Sequence, residues 1–425
     1  MKPAQKLNIP NDPMERLHYV KRLFPTAKGI DLKSTWAGGR SNAMSKLNSI
    51  DAESYGRNRN FLNGSVTHLS PYLRHGCLTL NETFAAIKSK FGVTGQHLLM
   101  QVAWRDYWRQ VWFAQGNAIY SEMEPPKVAL GYEPLSEAVR RGKTGLPCMD
   151  TFIAHLLTTG YVHNHARMWL ASYIVHHLKM DWREAADWFE THLIDGDIAS
   201  NHLSWQWVAS TFSSKPYYFN KENIARYTGE KYCANCTAKC PFNASYEELG
   251  ARLFSKPTVT DAKKYPIKAV ATRPVSIHGA IAVYVHDEML SPTNSLLTQP
   301  FPKIFVFDPE LYADWPLNRL QFVTDCLSEM MNVEVWVGDT YEVLMQRGVG
   351  QVITQATPNL KIKQMLAPFI TKWQQVDKLV NVEMSEKRMQ RFSRYWEKAA
   401  PLLLGTLGAD SNSDNSSHSL LTKTA

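Results

Sequence analysis

Cysteine is scarce in this chain, with 6 in 425 residues, and three of those six fall within Cys233–Cys240. That distribution excludes a secreted disulfide framework, which spreads its cysteines along a short chain. Long apolar runs are also missing: none approaches the roughly 20 residues that a helix needs to cross a bilayer. The opening stretch, Met1–Pro13, is polar and lacks the apolar centre of a secretory signal. Together these absences lead to the expectation of a cytoplasmic protein. Charge is moderate: 20% of residues are charged and 44% hydrophobic, the balance of an ordinary globular protein. The net charge of +8 is compatible with a polyanionic partner but does not require one. No internal repeat is present.

What is abundant is tryptophan. The 13 Trp lie mostly in the first half. They suit close packing, and they also suit electron hopping between side chains. The length allows two or three domains and a helical core large enough to enclose a bulky cofactor. From Trp36 to Leu253 the pattern predicts helices joined by short loops. Asp181 with Glu184 spells a capping box, followed by Ala185, Trp188, Phe189 and Leu193 at helical spacing. Met168–Leu178 is apolar on nearly every side and predicts a deeply buried helix.

After Lys256 the character changes. Ile281–Val285, Ile304–Phe307, Val333–Val337 and Val352–Thr354 are short β-rich runs separated by the helical stretches Leu317–Met331 and Leu360–Phe369. Alternation of this kind predicts a parallel, doubly wound sheet. The expected organisation is an all-α unit over 1–253, a proline-bearing linker over 254–275, an α/β unit over 276–405, and a disordered polar tail over 406–425.

Several segments of the helical half share one resemblance. The first is Tyr55-x-x-x-Arg59-x-Phe61 with Thr67-His68-Leu69-Ser70-Pro71-Tyr72-Leu73. The second is Trp104-Arg105-Asp106-Tyr107. The third runs from Gly142-Lys143-Thr144-Gly145 through His163-Asn164-His165-Ala166-Arg167-Met168 and Asp181-Trp182-Arg183-Glu184. It ends in Asp195-Gly196-Asp197, Asn201 and Trp205-Gln206-Trp207. In order and spacing they resemble the FAD-binding domain of the photolyase/cryptochrome family. The resemblance implies that Tyr55, Thr67, His68, Leu69 and Ser70 hold the FAD diphosphate, although Val66-Thr67 stands where the family usually has Thr-Ser. It implies flavin contacts from Gln101, Trp104, Arg105, Arg167, Asp195, Asp197 and Asn201, with Asn201 facing flavin N5. Asp195 and Asp197 are acceptors suited to the flavin ring N–H and the ribose, and Arg167 is placed to pair with Asp195. Trp205 and Trp182 match the inner members of the family's electron relay. Tyr132 lies near the place of the missing outer one.

On the substrate side the resemblance implies UV-damaged DNA, single- or double-stranded. Trp104, Asn164, Met168 and Trp207 stand at lesion-contacting positions. Asn164 and Met168 match the cyclobutane-dimer enzymes, whereas animal (6-4) enzymes carry His at both places. His163 matches a His of the iron–sulfur group, which leans towards (6-4) repair, so both lesions stay open. Gln101 stands where dimer enzymes carry a Glu, and it cannot supply an acidic proton. Three readings follow: light-driven DNA repair, blue-light sensing with a protein partner, and a non-photochemical flavin redox protein or iron–sulfur DNA-binding module, against which the Trp205/Trp182 pair argues.

Cys233-x2-Cys236-x3-Cys240 is a metal-type spacing, open to zinc, to unligated thiols or to a cluster. It resembles the Cys set of iron–sulfur bacterial cryptochromes and photolyases, and that resemblance adds Cys148 as the fourth ligand of a [4Fe–4S] cluster. In the α/β half, Ile281–Asp287, Phe305–Pro309 and Val333–Asp339 resemble the three leading strands of the family's antenna domain, whose chromophore is unidentified here. In the family that domain comes first; here it follows the helices, which implies a circular permutation.

Overall fold

The computed structural model describes residues 4–29, 36–255, 270, 272–275, 278–376, 378–383 and 391–405. Most of the expected linker 254–275, and all of the tail 406–425, lie outside the described residues. Between Arg40 and Leu253 the chain is helical, as the periodicity predicts, but the connections over 121–136 and 229–245 are long rather than short. Helix Leu80–Phe91 starts on a true capping box, in which Thr79 accepts from the Glu82 N–H and Glu82 accepts from the Thr79 N–H. The longest helix, Gln96–Gln115, buries Leu99, Ala103, Tyr107 and Val111 along one stripe.

One expectation fails at helix Trp182–His192. Asp181 caps it by accepting from the Arg183 N–H, but Glu184 does not return to close a capping box. Its carboxylate is taken by the Leu135 N–H at 3.0 Å and by Arg140. A tertiary guanidinium outcompetes the local bond because it brings a full charge.

The apolar run Met168–Leu178 is buried as expected. Helix Asn164–Ser172 continues into a π-helical turn over Tyr173–His177, with Trp169, Leu170 and Ile174 fully buried. Such wide turns are rare in helices and cluster at functional sites.

The second half supplies five strands of a six-stranded sheet of order β1-β4-β3-β2-β5-β6, and residues near the N-terminus supply the sixth. Its strands are β1 Gln5–Leu7, β2 Ala280–Val285, β3 Lys303–Phe307, β4 Val333–Val337, β5 Val349–Gln355 and β6 Ile370–Gln374. β2 to β6 are parallel, and their order reverses at β2, as in a doubly wound fold. β2 and β3 are buried almost throughout, which is why they read as continuous apolar runs. Two strands escaped the sequence. β1 is short and polar and pairs antiparallel with β4, Lys6 opposite Trp336. β6 is an edge strand with Ile370, Lys372 and Gln374 exposed.

The halves interleave. Residues 5–23 join the sheet side: helix Pro13–Leu23 packs on helix Leu317–Ser328, and Arg16 Nε meets Asp325 at 2.7 Å, both side chains buried. Conversely, helix Phe392–Leu404 leaves the sheet and packs on helix Gln96–Gln115. Among the described residues no helix is long and apolar enough to cross a membrane.

Candidate functional site

The Asp195-Gly196-Asp197 turn lies between helices Trp182–His192 and Ile198–Ala209. Asp197 is the N-cap of the second helix, accepting from the Ser200 N–H at 2.7 Å, and its other oxygen takes Arg105 Nη2 at 2.8 Å. Burial opposes its charge, yet Arg105, Arg74 and Ser200 hold the Asp197 carboxyl down to about 2. Asp195 is buried and receives Arg167 Nη2 at 3.1 and 2.9 Å on its two oxygens. Arg167 is itself fixed, with Nε donating to the Val162 carbonyl at 2.8 Å and the guanidinium over the Tyr161 ring. The expected Arg167–Asp195 pair therefore forms, and an unforeseen pair, Arg105–Asp197, stands beside it. Asn201 follows on the same helix, its Nδ2 donating to the Ala186 carbonyl at 2.9 Å.

Towards the N-terminal end of the helical part, a cleft of about 280 Å³ is lined by Lys46, Ser49, Asp51, Tyr55, Gly64, Ser65, Val66, Thr67 and His68. This is the segment read as the diphosphate cradle. His68 sits at φ 53°, and Leu69 and Ser70 lead directly into helix Ser70–Arg74. The sequence reading missed Lys46 and Ser65. Lys46 lies far upstream on helix Arg40–Asn48 and supplies a cation suited to an anion. Ser65 adds a hydroxyl to the cleft lining beside Val66. His68 Nδ1 is buried without a hydrogen-bond partner among the described residues, a polar atom that a ligand would satisfy. Burial and the nearby Lys46 lower the His68 pKa, so the ring is neutral at pH 7.

The structure distributes the expected substrate contacts over two clusters. Asn164 Nδ2 lies 4.0 Å from Met168 Sδ, and Trp207 packs on Tyr217 at 5.7 Å. Met168 and Trp207 belong to the core around Phe152, Trp169 and Trp205. Trp104 belongs to a different one, with Tyr107, Trp108 and Phe392. Its ring is half-buried, and Phe392 stacks on one face with centroids 3.8 Å apart and planes 11° apart. Gln101 is half-buried one turn before Trp104. His163 caps helix Asn164–Ser172 by accepting from the His165 N–H at 3.2 Å, and burial, with His165 and Arg167 nearby, lowers its pKa to about 4. Trp205 and Trp182 are both buried, and the Trp182 indole N–H has no partner among the described residues. Tyr132 lies under the guanidinium of Arg183, the neighbour of Trp182, at 5.3 Å.

The cysteines converge in part. Phe152, one turn along from Cys148 on helix Pro147–Thr159, meets the Tyr232 ring at 5.4 Å, which brings the Cys233 loop against that helix. Burial pushes the Cys148 thiol up to about 12, with Cys240 and Cys233 adding to the effect. Among the described residues no three His, Cys, Asp or Glu side chains stand in metal-holding geometry, and all six cysteines are free.

Residues 98–235 match the family model of the FAD-binding domain of DNA photolyase. A deoxyribodipyrimidine photo-lyase of Streptomyces griseus is 33% identical over 205 residues, covering 48% of this chain and 44% of the relative. A cryptochrome DASH of Idiomarina loihiensis is 29% identical over 249 residues, covering 54% of this chain and 53% of the relative. The chain thus matches about half the length of these curated relatives. A solved Synechocystis cryptochrome aligns with a TM-score of 0.44 at 26% identity, over 49% of this chain and 47% of that one. The matched model opens at Leu98, on the helix that carries Trp104 and Arg105, and spans both carboxylate–arginine pairs, so both pairs lie in the part of the chain that is similar to the FAD-binding domain of DNA photolyase.

Proposed function

We propose that this protein is a light-driven DNA-repair flavoprotein acting on a pyrimidine photolesion, with its helical and α/β parts in an order permuted from its relatives. The observation that carries the reading is the adjacency of Trp104 and Arg105. Arg105 pairs with Asp197 in the flavin turn, which ties the helix that carries Trp104 to that turn and supports a role for Trp104 near it. The chemistry that FAD supplies when bound is light-driven electron donation. The chain's own residues then have distinct tasks. Asp195 and Asp197 accept from the flavin ring and ribose, Lys46, Ser65, Thr67 and Ser70 take the diphosphate, and Asn201 faces the ring. Trp104, Asn164, Met168 and Trp207 receive an extruded lesion, for which stacking on an aromatic face is the general solution. Trp205 and Trp182 carry electrons inward from the surface, with Tyr132 as the outer station. Replacing Trp205 with Phe should abolish light-driven flavin reduction; unchanged photoreduction would sink the relay assignment.

A second reading, a blue-light photoreceptor without repair activity, is favoured by Phe392. Its ring covers a face of Trp104 that a base would use, and Gln101 stands where repair enzymes of the family carry an acid. Blue light on the reduced protein with oligonucleotides carrying cyclobutane dimers or (6-4) photoproducts, single- and double-stranded, separates the two. Recovery of intact pyrimidines supports repair, and its absence with photoreduction intact supports sensing.

The same reading gives Cys148, Cys233, Cys236 and Cys240 to one [4Fe–4S] cluster. It is supported by the seating of the Cys233 loop on the Cys148 helix through Tyr232 and Phe152. Purified protein that contains neither iron nor acid-labile sulfide would refute it.

A further inference from the structure

The flavin turn is held from behind by two arginines, one from each half of the molecule. The Gly196 carbonyl accepts Arg74 Nε at 2.9 Å and Arg319 Nη2 at 3.0 Å, both bonds buried. Arg74 ends the short helix that follows the His68 turn. Arg319 lies on helix Leu317–Ser328 of the sheet-bearing part and is fully buried. Its guanidinium stacks on Trp315 at 3.6 Å and also reaches Glu190, the carbonyl at 3.4 Å and Oε1 at 3.5 Å. The turn is also contacted at its other end, where the His75 ring nitrogens lie 3.1 and 2.9 Å from the carbonyls of Ile194 and Asp287; burial keeps the ring neutral, so it donates to one of the two. Gly196 is there because nothing larger fits: a Cβ would lie 2.4 Å from Arg319 Nη1 and 2.6 Å from the Glu190 carbonyl.

Two guanidiniums on one buried carbonyl repel each other, and stability alone gives no reason to place them so. Arg74 has its counter-ion in Asp287 at 2.7 Å. Among the described residues Arg319 pairs with the more distant Glu190, and Asp287 also favours its charge; burial together with Arg74 still lowers its pKa to about 10. What the arrangement does achieve is to fix the backbone between two carboxylates whose positions decide how a flavin is held.

We propose that Arg319 is a positioning residue for the flavin site: reaching across from the sheet-bearing part, it clamps the Gly196 carbonyl with Arg74 and so sets the geometry of Asp195 and Asp197. This rests on the reading of that turn as the flavin site. Its consequence is that cofactor binding in the helical part depends on correct docking of the other part.

The test is made on the full chain. Arg319→Met keeps the stem and removes the charge, Arg319→Lys keeps the charge without the fork, and Glu190→Gln loosens the second anchor alone. FAD affinity is read by flavin fluorescence, the bound flavin's midpoint potential by redox titration, and folding by circular dichroism. Arg319→Met should weaken FAD binding about tenfold, as loss of a charge-assisted bond does, and shift the midpoint potential. Arg319→Lys should recover part of both, and Glu190→Gln should fall between. A folded Arg319→Met protein with wild-type affinity and potential overturns the inference. If that variant does not fold, unchanged values in Glu190→Gln overturn it equally. A wild-type chain that binds no FAD overturns the flavin reading itself, and the clamp with it.

Discussion

At the scale of single residues, the site is a set of buried charges that must stay matched. Asp197 serves at once as helix cap and as partner of Arg105. Asp197→Ala removes both roles and leaves Arg105 enclosed without its counter-ion, so unfolding stability should drop by about 2–3 kcal/mol in urea titrations of the apoprotein. The pH dependence has a definite sign. Arg105, Arg74 and Ser200, working against burial, keep the folded-state pKa of Asp197 at about 2, below its unfolded value of about 4. The ionised pair therefore contributes its full stability above pH ~4 and loses it as pH falls towards 2, to the extent of about 2 kcal/mol. The wild-type urea midpoint should fall across that window by more than the midpoint of Asp197→Asn. Equal slopes would mean that the pair contributes nothing. The carboxylates and Arg167 were legible in the sequence through the resemblance, which relates segments 28 residues apart. Arg319 was not, since its relation to the turn exists only after long-range packing, 123 residues from Gly196.

At the scale of elements, the unforeseen feature is helix Phe392–Leu404. Its buried face, Phe392, Tyr395 and Ala399, has helical spacing that the sequence displays, but nothing in the sequence names helix Gln96–Gln115 as its partner. The contact is specific. Asp106, next to Arg105, accepts the Tyr395 hydroxyl at 2.7 Å, Gln110 Nε2 at 2.6 Å and the Leu379 N–H at 3.2 Å. Burial raises the Asp106 pKa against these three donors, so removing one leaves a costly buried acceptor. Tyr395→Phe should cost about 1–3 kcal/mol in thermal or urea unfolding. Phe392→Ala addresses function: with one face of Trp104 uncovered, a repair protein should bind lesion-bearing oligonucleotide more tightly in a fluorescence-anisotropy titration. Unchanged binding would place Phe392 on a face that the lesion does not use. The same scale explains the lost capping box. The pattern at Asp181 and Glu184 was genuine, but Arg140 and the Leu135 N–H arrive from a separate loop and take Glu184 first. Strands β2 and β3 were legible because burial on both faces leaves an unbroken apolar run, and β4 and β5 through their β-branched residues; β1 and β6 were not, because such short or exposed edge strands carry no such mark.

At the scale of the whole molecule, the two halves read from composition as separate units, yet they behave structurally as one. An open doubly wound sheet offers a crevice at the carboxyl ends of its strands where the strand order reverses. Here that place, after β2, is taken by the helical part. Asp287 binds Arg74, and Glu288 binds Arg109 at 2.8 Å while accepting the Thr357 hydroxyl at 3.0 Å. The Arg74–Asp287 pair is almost fully enclosed, and strong opposing charges there depress the Asp287 pKa although burial works against it. Neutralising one member leaves the other as an uncompensated buried charge, which costs far more than the pair is worth intact. Asp287→Asn should therefore lower stability by about 3–5 kcal/mol. Because Arg74 also reaches Gly196, the loss should be felt in both halves at once. Far-UV circular dichroism, dominated by the helical part, and the fluorine NMR resonance of Trp315 in fluorotryptophan-labelled protein, assigned by Trp315→Phe, should report one shared transition in wild type, moved to lower denaturant as a unit in the variant. Trp315 suits this role because it stacks on Arg319 at the seam. A variant in which the helical signal keeps its wild-type midpoint while the seam signal moves would show that the halves fold independently, and that the interface serves alignment rather than stability.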